Sequence, residues 1–231
     1  MGLAVMDDDK PQPAANEAKI DGRSLVVRRR KSRDHKTRAK LLETAAALLK
    51  KYELADITSY MVLKHSGISR GSLYYHFADF DELMGEAAIQ RYAKWADQEA
   101  NKLQTAMSNA GNVPAMVESL VTIIGELQTD RHRSQRLDHA VLIAQTKTNS
   151  YFADLVAQEQ SRLTHRIATI VTRAQATGVI SSQSDAMAIA MFLQVCAFGR
   201  LLDDVSGALV DTASWDSLLA QVLSQVLSGP N

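Results

Sequence analysis

Residues 58–83, TSYMVLKHSGISRGSLYYHFADFDEL, limit what this chain can become more than any other stretch. They read as two short helices around a tight turn at Ser66-Gly67-Ile68-Ser69. Thr58 or Ser59 is placed to cap the first helix, which runs through Lys64, and Ser69 to cap the second, over residues 70–76. Gly67 supplies the bend between them, because a residue without Cβ takes positive φ at little cost. A helix-turn-helix of this geometry lays its second helix in the DNA major groove, with the groove-facing residues near that helix's start.

Charge supports that reading although the net charge is zero. Residues 23–51 hold eleven Lys and Arg against Asp34 and Glu43, a net of +9, while residues 1–22 carry −3 and residues 52–231 carry −6. A basic block on an acidic body is the footprint of a protein that presents one end to phosphate. The basic run alone would read as a solvated surface; beside the motif it reads as an arm over Arg28, Arg29, Arg30, Lys31 and Arg33, continued by Lys36. The single cysteine, Cys196, cannot form an intrachain disulfide and fits a reducing, cytoplasmic setting. No secretory leader is evident. The most apolar stretch, residues 186–202, is interrupted by Gln194, Gly199 and Arg200, so no membrane partner is expected.

The remaining periodicity is helical. Residues 1–27 are polar, contain Pro11 and Pro13, and read as a mobile extension. A helix over 34–52 follows, with Leu41, Leu42, Ala45, Ala46, Leu48, Leu49 and Tyr52 forming one stripe. Further helices are expected over 81–107, 114–128, a short piece ending at 144, 150–176, 184–209 and 214–227, the last two capped by Ser184 and Ser214. The fold class is therefore all-α: an extension (1–27), a basic arm with a DNA-binding helix-turn-helix (28–80), and a helical ligand-binding and dimerisation domain (81–231).

Taken together, the stripe of the first helix with Thr58, Val62, Ser66-Gly67-Ile68-Ser69, Gly71-Ser72-Leu73-Tyr74, His76-Phe77 and Asp81-Glu82-Leu83 resembles the tetracycline-repressor (TetR) family of transcriptional regulators over residues 36–85. The resemblance implies that residues 69–76 form the recognition helix. Ser69, Ser72 and Tyr74 would contact phosphate, as would Thr58 at the preceding cap. Arg70, Gly71 and Tyr75 would face base edges, and His76 either; for Tyr74 and Tyr75 a structural role stays open. Two positions depart from the family pattern: Phe80 stands where a lysine is usual and Glu53 where a glycine is usual. The resemblance also implies a small-molecule pocket in the middle helices, with Met84, Tyr92, Trp95, Met116 and Phe152 as apolar candidates and His132, Arg136, His139 and His165 as polar ones.

Fourteen of the residues from 186 to 202 are apolar, and such a helix needs cover on all sides. A twofold homodimer is expected through Met187, Met191, Phe198 and Leu202 of that helix and Trp215, Leu219, Val222 and Val226 of the last; internal core is the alternative. The sequence shows no catalytic constellation, no metal-ligand spacing and no cofactor motif, so no enzyme, metal or cofactor is expected. The expected partners are a near-palindromic double-stranded DNA operator, a second copy of the chain and a small-molecule effector. The function read from the sequence is a sequence-specific regulator, a repressor released by its ligand. The alternative is a constitutive architectural DNA binder without a ligand.

Overall fold

The computed structural model describes residues 22–52, 54–147, 150–207 and 209–229, with side chains from residue 34 onward except that of Ala55. Among the described residues there is no strand. Ten α-helices follow in order: α1 (Gly22–Leu48), α2 (Ser59–Ser66), α3 (Arg70–His76), α4 (Phe80–Asn109), α5 (Val113–Leu127), α6 (Arg133–Gln145), α7 (Ser150–Ala176), α8 (Ala186–Phe198), α9 (Leu201–Ser206) and α10 (Thr212–Ser228).

Short polar side chains start most of these helices by accepting an otherwise orphaned backbone N–H. Thr58 Oγ1 accepts from Met61 N (3.4 Å), Ser69 Oγ from Ser72 N (3.2 Å) and Asp79 Oδ1 from Glu82 N (2.7 Å). Gly67 takes φ of +66° between α2 and α3, the left-handed turn that its missing Cβ permits. Pro114 lies in the first turn of α5, where no N–H is needed.

Three expectations need correction. Helix α1 begins at Gly22, so the basic residues from Arg28 to Arg33, expected as an arm ahead of the first helix, lie on its backbone, and the extension expected to reach 27 gives way to helix six residues earlier. Their side chains, all of residues 1–21, and Glu53 lie outside the described residues. The helix expected over 184–209 is two helices, α8 and α9, joined at Gly199-Arg200. A Cβ on Gly199 would stand 3.1 Å from the Trp215 ring, so the chain turns where α10 presses its indole against the backbone. Asp185 and Asp211 cap α8 and α10, in place of Ser184 and Ser214. Residues 186–206 are long and apolar enough on average (mean hydropathy 1.5) to meet the composition of a membrane span. The bend divides that span, and Ile189, Ala190, Leu193 and Cys196 are buried in the core of the protein.

Two separate cores result. The first joins Leu41, Leu42, Ala45 and Leu48 of α1 with Val62 of α2, Leu73 of α3, Phe77, and Leu83, Met84 and Ala87 of α4. The second joins the rest of α4 from Ala96 onward with α5, α7, α8 and α10. The boundary set at 80/81 by sequence thus falls at the start of a helix whose first two turns complete the first core. Phe80, in place of the usual lysine, is half-buried against that core.

Among the described residues, Gln128, Arg136, His139 and Thr164 are the buried polar side chains of the second half, and two of them organise it. The Arg136 guanidinium is bidentate to Asp204 (2.7 and 2.6 Å) and donates to the carbonyls of Leu127 (2.6 Å) and Thr129 (3.0 Å), tying α6 to the end of α5 and to α9. His139 lies between the Tyr92 ring, stacked at 4.0 Å, and the Phe198 ring, edge-on at 4.4 Å. Burial pushes its imidazole down from 6.5 to about 4. The unfolded chain therefore takes up a proton near 6.5 that the folded chain refuses until about 4. The stabilisation is complete above the upper value and is lost as pH falls through the lower one.

Asp204→Ala should destabilise the protein by roughly 3–5 kcal/mol in chemical denaturation, because it leaves a buried guanidinium uncompensated. Across the acid interval bounded by the free and folded values of His139, the fall in unfolding free energy should shrink by roughly 3 kcal/mol in His139→Phe, which keeps a ring but removes the titration. An unchanged acid slope would show that other groups set it.

Candidate functional sites: an exposed helix and an enclosed cavity

Helix α3 has two sides. Leu73 is fully buried and the Phe77 ring behind it is 2% exposed, which fixes the helix to the first core. The opposite side is open: Ser69, Arg70, Gly71, Tyr74 and Tyr75 are exposed, Tyr75 at 70%, while Ser72 and His76 are half-buried. The Arg70 guanidinium lies 5.7 Å from the Tyr74 ring centroid, and Tyr75 meets His76 edge-on. Ser69 and Ser72 hydroxyls are 2.9 Å apart at the helix start, where backbone N–H groups favour an anion. Thr58 and Lys36 are also exposed. Tyr60 of α2, 69% exposed with Lys64 near its ring, was not singled out by sequence. Nothing in a polar-aromatic run shows which ring the fold leaves outside.

The second site is a cavity of about 120 Å³ lined by α4, α5, α6, α7 and α8. Tyr92, Trp95, Arg136 and His139, four of the nine residues expected at a pocket, do line it. The other five do not. Met84 belongs to the first core and Met116 is sealed in the second. His132 Nδ1 is engaged with the Glu126 carbonyl at the turn before α6, and His165 is exposed on α7. Phe152 packs instead on Gly85, its ring standing 2.6 Å from where a Cβ would be. Glu99, Gln160, Gln194 and Phe198 line the cavity without having been foreseen there. They come from three different helices, so no local spacing links them.

The cavity's polar groups are unevenly satisfied. Gln160 donates to Gln194 (2.6 Å), which donates to Thr164 (3.0 Å). Glu99 is ion-paired with Lys102 at 3.0 Å. Trp95 Nε1, His139 Nδ1 and Glu99 Oε2 are buried with no partner in hydrogen-bond geometry, the last despite the neighbouring Lys102. Burial also raises the Tyr92 phenol, so it stays protonated. Cys196 is buried nearby with its thiol pushed up to about 11, which makes it a poor nucleophile. Among the described residues no cluster of His, Cys, Asp and Glu forms a metal site.

The expected dimer residues divide. Met191 and Leu202 are exposed, at 48% and 77%; Met187, Trp215, Val222 and Val226 are half-buried. Leu219 is 5% exposed in the second core, and Phe198 is turned inward to the cavity. Val195 (58%) and Leu218 (55%) stand on the outer surface in their stead. A helix apolar on every side gives no phase by which sequence could tell inner from outer positions.

Two ion-pair systems join the halves. Arg91 of α4 donates both to the Leu49 carbonyl after α1 and to Asp138 of α6, the neighbour of His139. Glu86 of α4 accepts from Arg38 of α1 (2.6 Å) and from the Tyr151 hydroxyl of α7 (2.8 Å).

No family model matches the chain. The HTH-type transcriptional regulator TtgR of Pseudomonas putida is 26% identical over 200 residues, spanning 82% of this chain and 92% of the relative. A TetR-family transcriptional regulator from Cytophaga hutchinsonii shares the fold at a TM-score of 0.54 with 13% identity, covering 84% of this chain and 94% of that one. A Saccharomonospora viridis protein assigned as a transcriptional regulator, solved in complex with choline, does so at 0.57 with 18% identity, covering 85% of this chain and all of that one. In sequence the chain is similar to an HTH-type transcriptional regulator, and it shares the fold of TetR-family transcriptional regulators.

Proposed function

We propose that the chain is a dimeric repressor that occupies a near-palindromic operator through α3 and leaves it when a small molecule fills the cavity. The observation that carries the reading is the pairing of an outward α3, fixed from behind by Leu73 and Phe77, with an inner cavity lined in part by two residues whose nitrogens are unpartnered. Arg70 reads guanine O6 and N7, with Tyr75 and Gly71 beside it; Ser69, Ser72, Tyr74, Thr58 and Lys36 hold phosphate, and the basic half of α1 supplies sequence-independent attraction. A second copy docks on the outer side of α8 and α10, around Met191, Val195, Leu202 and Leu218. Two recognition helices then stand about 34–36 Å apart, one turn of DNA. A chain of this fold is known with choline, which supports a small-molecule role without assigning that ligand here. A constitutive architectural binder would have no use for the cavity.

Helix α4 transmits the signal. A ligand displacing α6 pulls Asp138, through Arg91, on the end of α1, while Glu86 couples α7 to Arg38 on the same helix. The ligand shifts the population by its differential affinity for the two arrangements.

Selection of bound fragments from a genomic library should return a near-palindromic consensus, with a specificity ratio of ~10³ or more over random DNA. A ratio near one would leave the architectural alternative standing. Arg70→Ala should relax preference at one base pair by roughly 1–3 kcal/mol in each half-site. Asp138→Asn, distant from α3, should change operator affinity by roughly three- to tenfold in fluorescence anisotropy, whereas Val141→Ala, an exposed change on the same helix, should not. Equal affinities for both variants and the parent chain would remove the α6 route.

A further inference from the structure

Resting on the ligand-responsive reading above, we propose that the cavity takes a compact, uncharged ring compound carrying an oxygen or nitrogen hydrogen-bond acceptor. The walls fix most of this. Tyr92, Trp95, Phe198 and the His139 imidazole present ring surfaces, and Leu103, Ile124, Leu163 and Leu193 close the remainder with aliphatic carbon. Such a lining favours a flat or alicyclic body that packs against rings. The volume, about 120 Å³, can hold a body of one or two rings.

Charge decides the class. An anion would look to Arg136, the one guanidinium on the wall, but that group is held bidentate by Asp204 and by the Leu127 and Thr129 carbonyls. Capturing an anion would require breaking a buried pair whose side chains are 2% and 8% exposed. The imidazole of His139 is neutral at physiological pH, since burial keeps its value near 4. A cation would look to Glu99, the one carboxylate on the wall, and Lys102 already stands 3.0 Å from it. Arg136 and Glu99 are each ion-paired within the protein, so a charged ligand would lose its hydration and have to displace an existing pair.

The polar handle follows from what is left unsatisfied. Trp95 Nε1–H is a donor with no acceptor in the protein, and His139 Nδ1 is a second unpartnered nitrogen on a side chain 5% exposed. A buried donor without a partner is costly, and a ligand acceptor that reaches it recovers that cost. A hydroxyl suits either nitrogen, because it can accept from the indole and can donate to or accept from the imidazole.

The test is calorimetric titration of the full-length protein with four probes built on one ring system: naphthol, naphthoate, naphthylmethylammonium and methylnaphthalene. Naphthol should bind at least about tenfold more tightly than either charged probe. Trp95→Phe should weaken naphthol about tenfold more than methylnaphthalene, because both probes lose the same indole ring contact and only naphthol loses the donor. His139→Phe gives a parallel variant if Trp95→Phe proves unfolded. A charged probe matching naphthol, equal loss for naphthol and methylnaphthalene in the variants, or binding of none of the four overturns the ligand class. Gel shifts with the selected operator fragment, run alongside, keep the two readings apart. A protein that binds naphthol and ignores DNA overturns the regulator reading alone; one that holds operator and rejects every uncharged probe overturns the ligand class alone.

Discussion

The molecule depends on one helix being shared by two cores. The first two turns of α4 deliver Leu83, Met84 and Ala87 to the core that holds α3, and its later turns deliver Ala96, Ala100, Leu103 and Met107 to the other. A thirty-residue helix is stiff on the scale of a domain, because each backbone bond along it must break for it to bend sharply. Neither core can therefore rotate without moving the other. Gly85 tightens the junction further by letting the Phe152 ring of α7 lie directly on the α4 backbone.

The polar contacts of α4 give this mechanical link its direction. Arg91 and Glu86 each hold one group in the first half and one in the second. Both sit within one and a half turns of each other, at the level where the two cores meet. Arg136 plays the opposite part. Its pairing with Asp204 and two carbonyls clamps α6, α5 and α9 into a frame against which the cavity is formed. The clamp also takes the cavity's guanidinium out of play as an anion receptor, so a structural need restricts the ligand chemistry.

The helix-turn-helix was legible because its signals are local. Thr58, Ser69 and Asp79 cap helices one to three residues away, and Gly67 adopts its turn for a reason internal to that residue. The pocket was half legible. Tyr92, Trp95, Arg136 and His139 were identified, while Met84, Met116 and Phe152 were consumed by packing that no spacing reveals. Glu99, Gln160 and Gln194 were missed because they meet only once α4, α7 and α8 have packed. The outer face was misphased for a related reason. In α8 the apolar residues run all round, so Phe198 turned inward while Val195 stayed out.

By itself, then, the sequence determined the helical class, the two-helix motif with its caps and turn, and the concentration of positive charge in one block of the chain. Each of these follows from interactions spanning four residues or fewer, or from summed charge. Tertiary structure alone decided how α8 and α9 divide beside Trp215, and which nitrogens on the residues lining the cavity are left without partners. Those outcomes depend on which helices exclude water from one another, and that is settled between residues far apart in the chain.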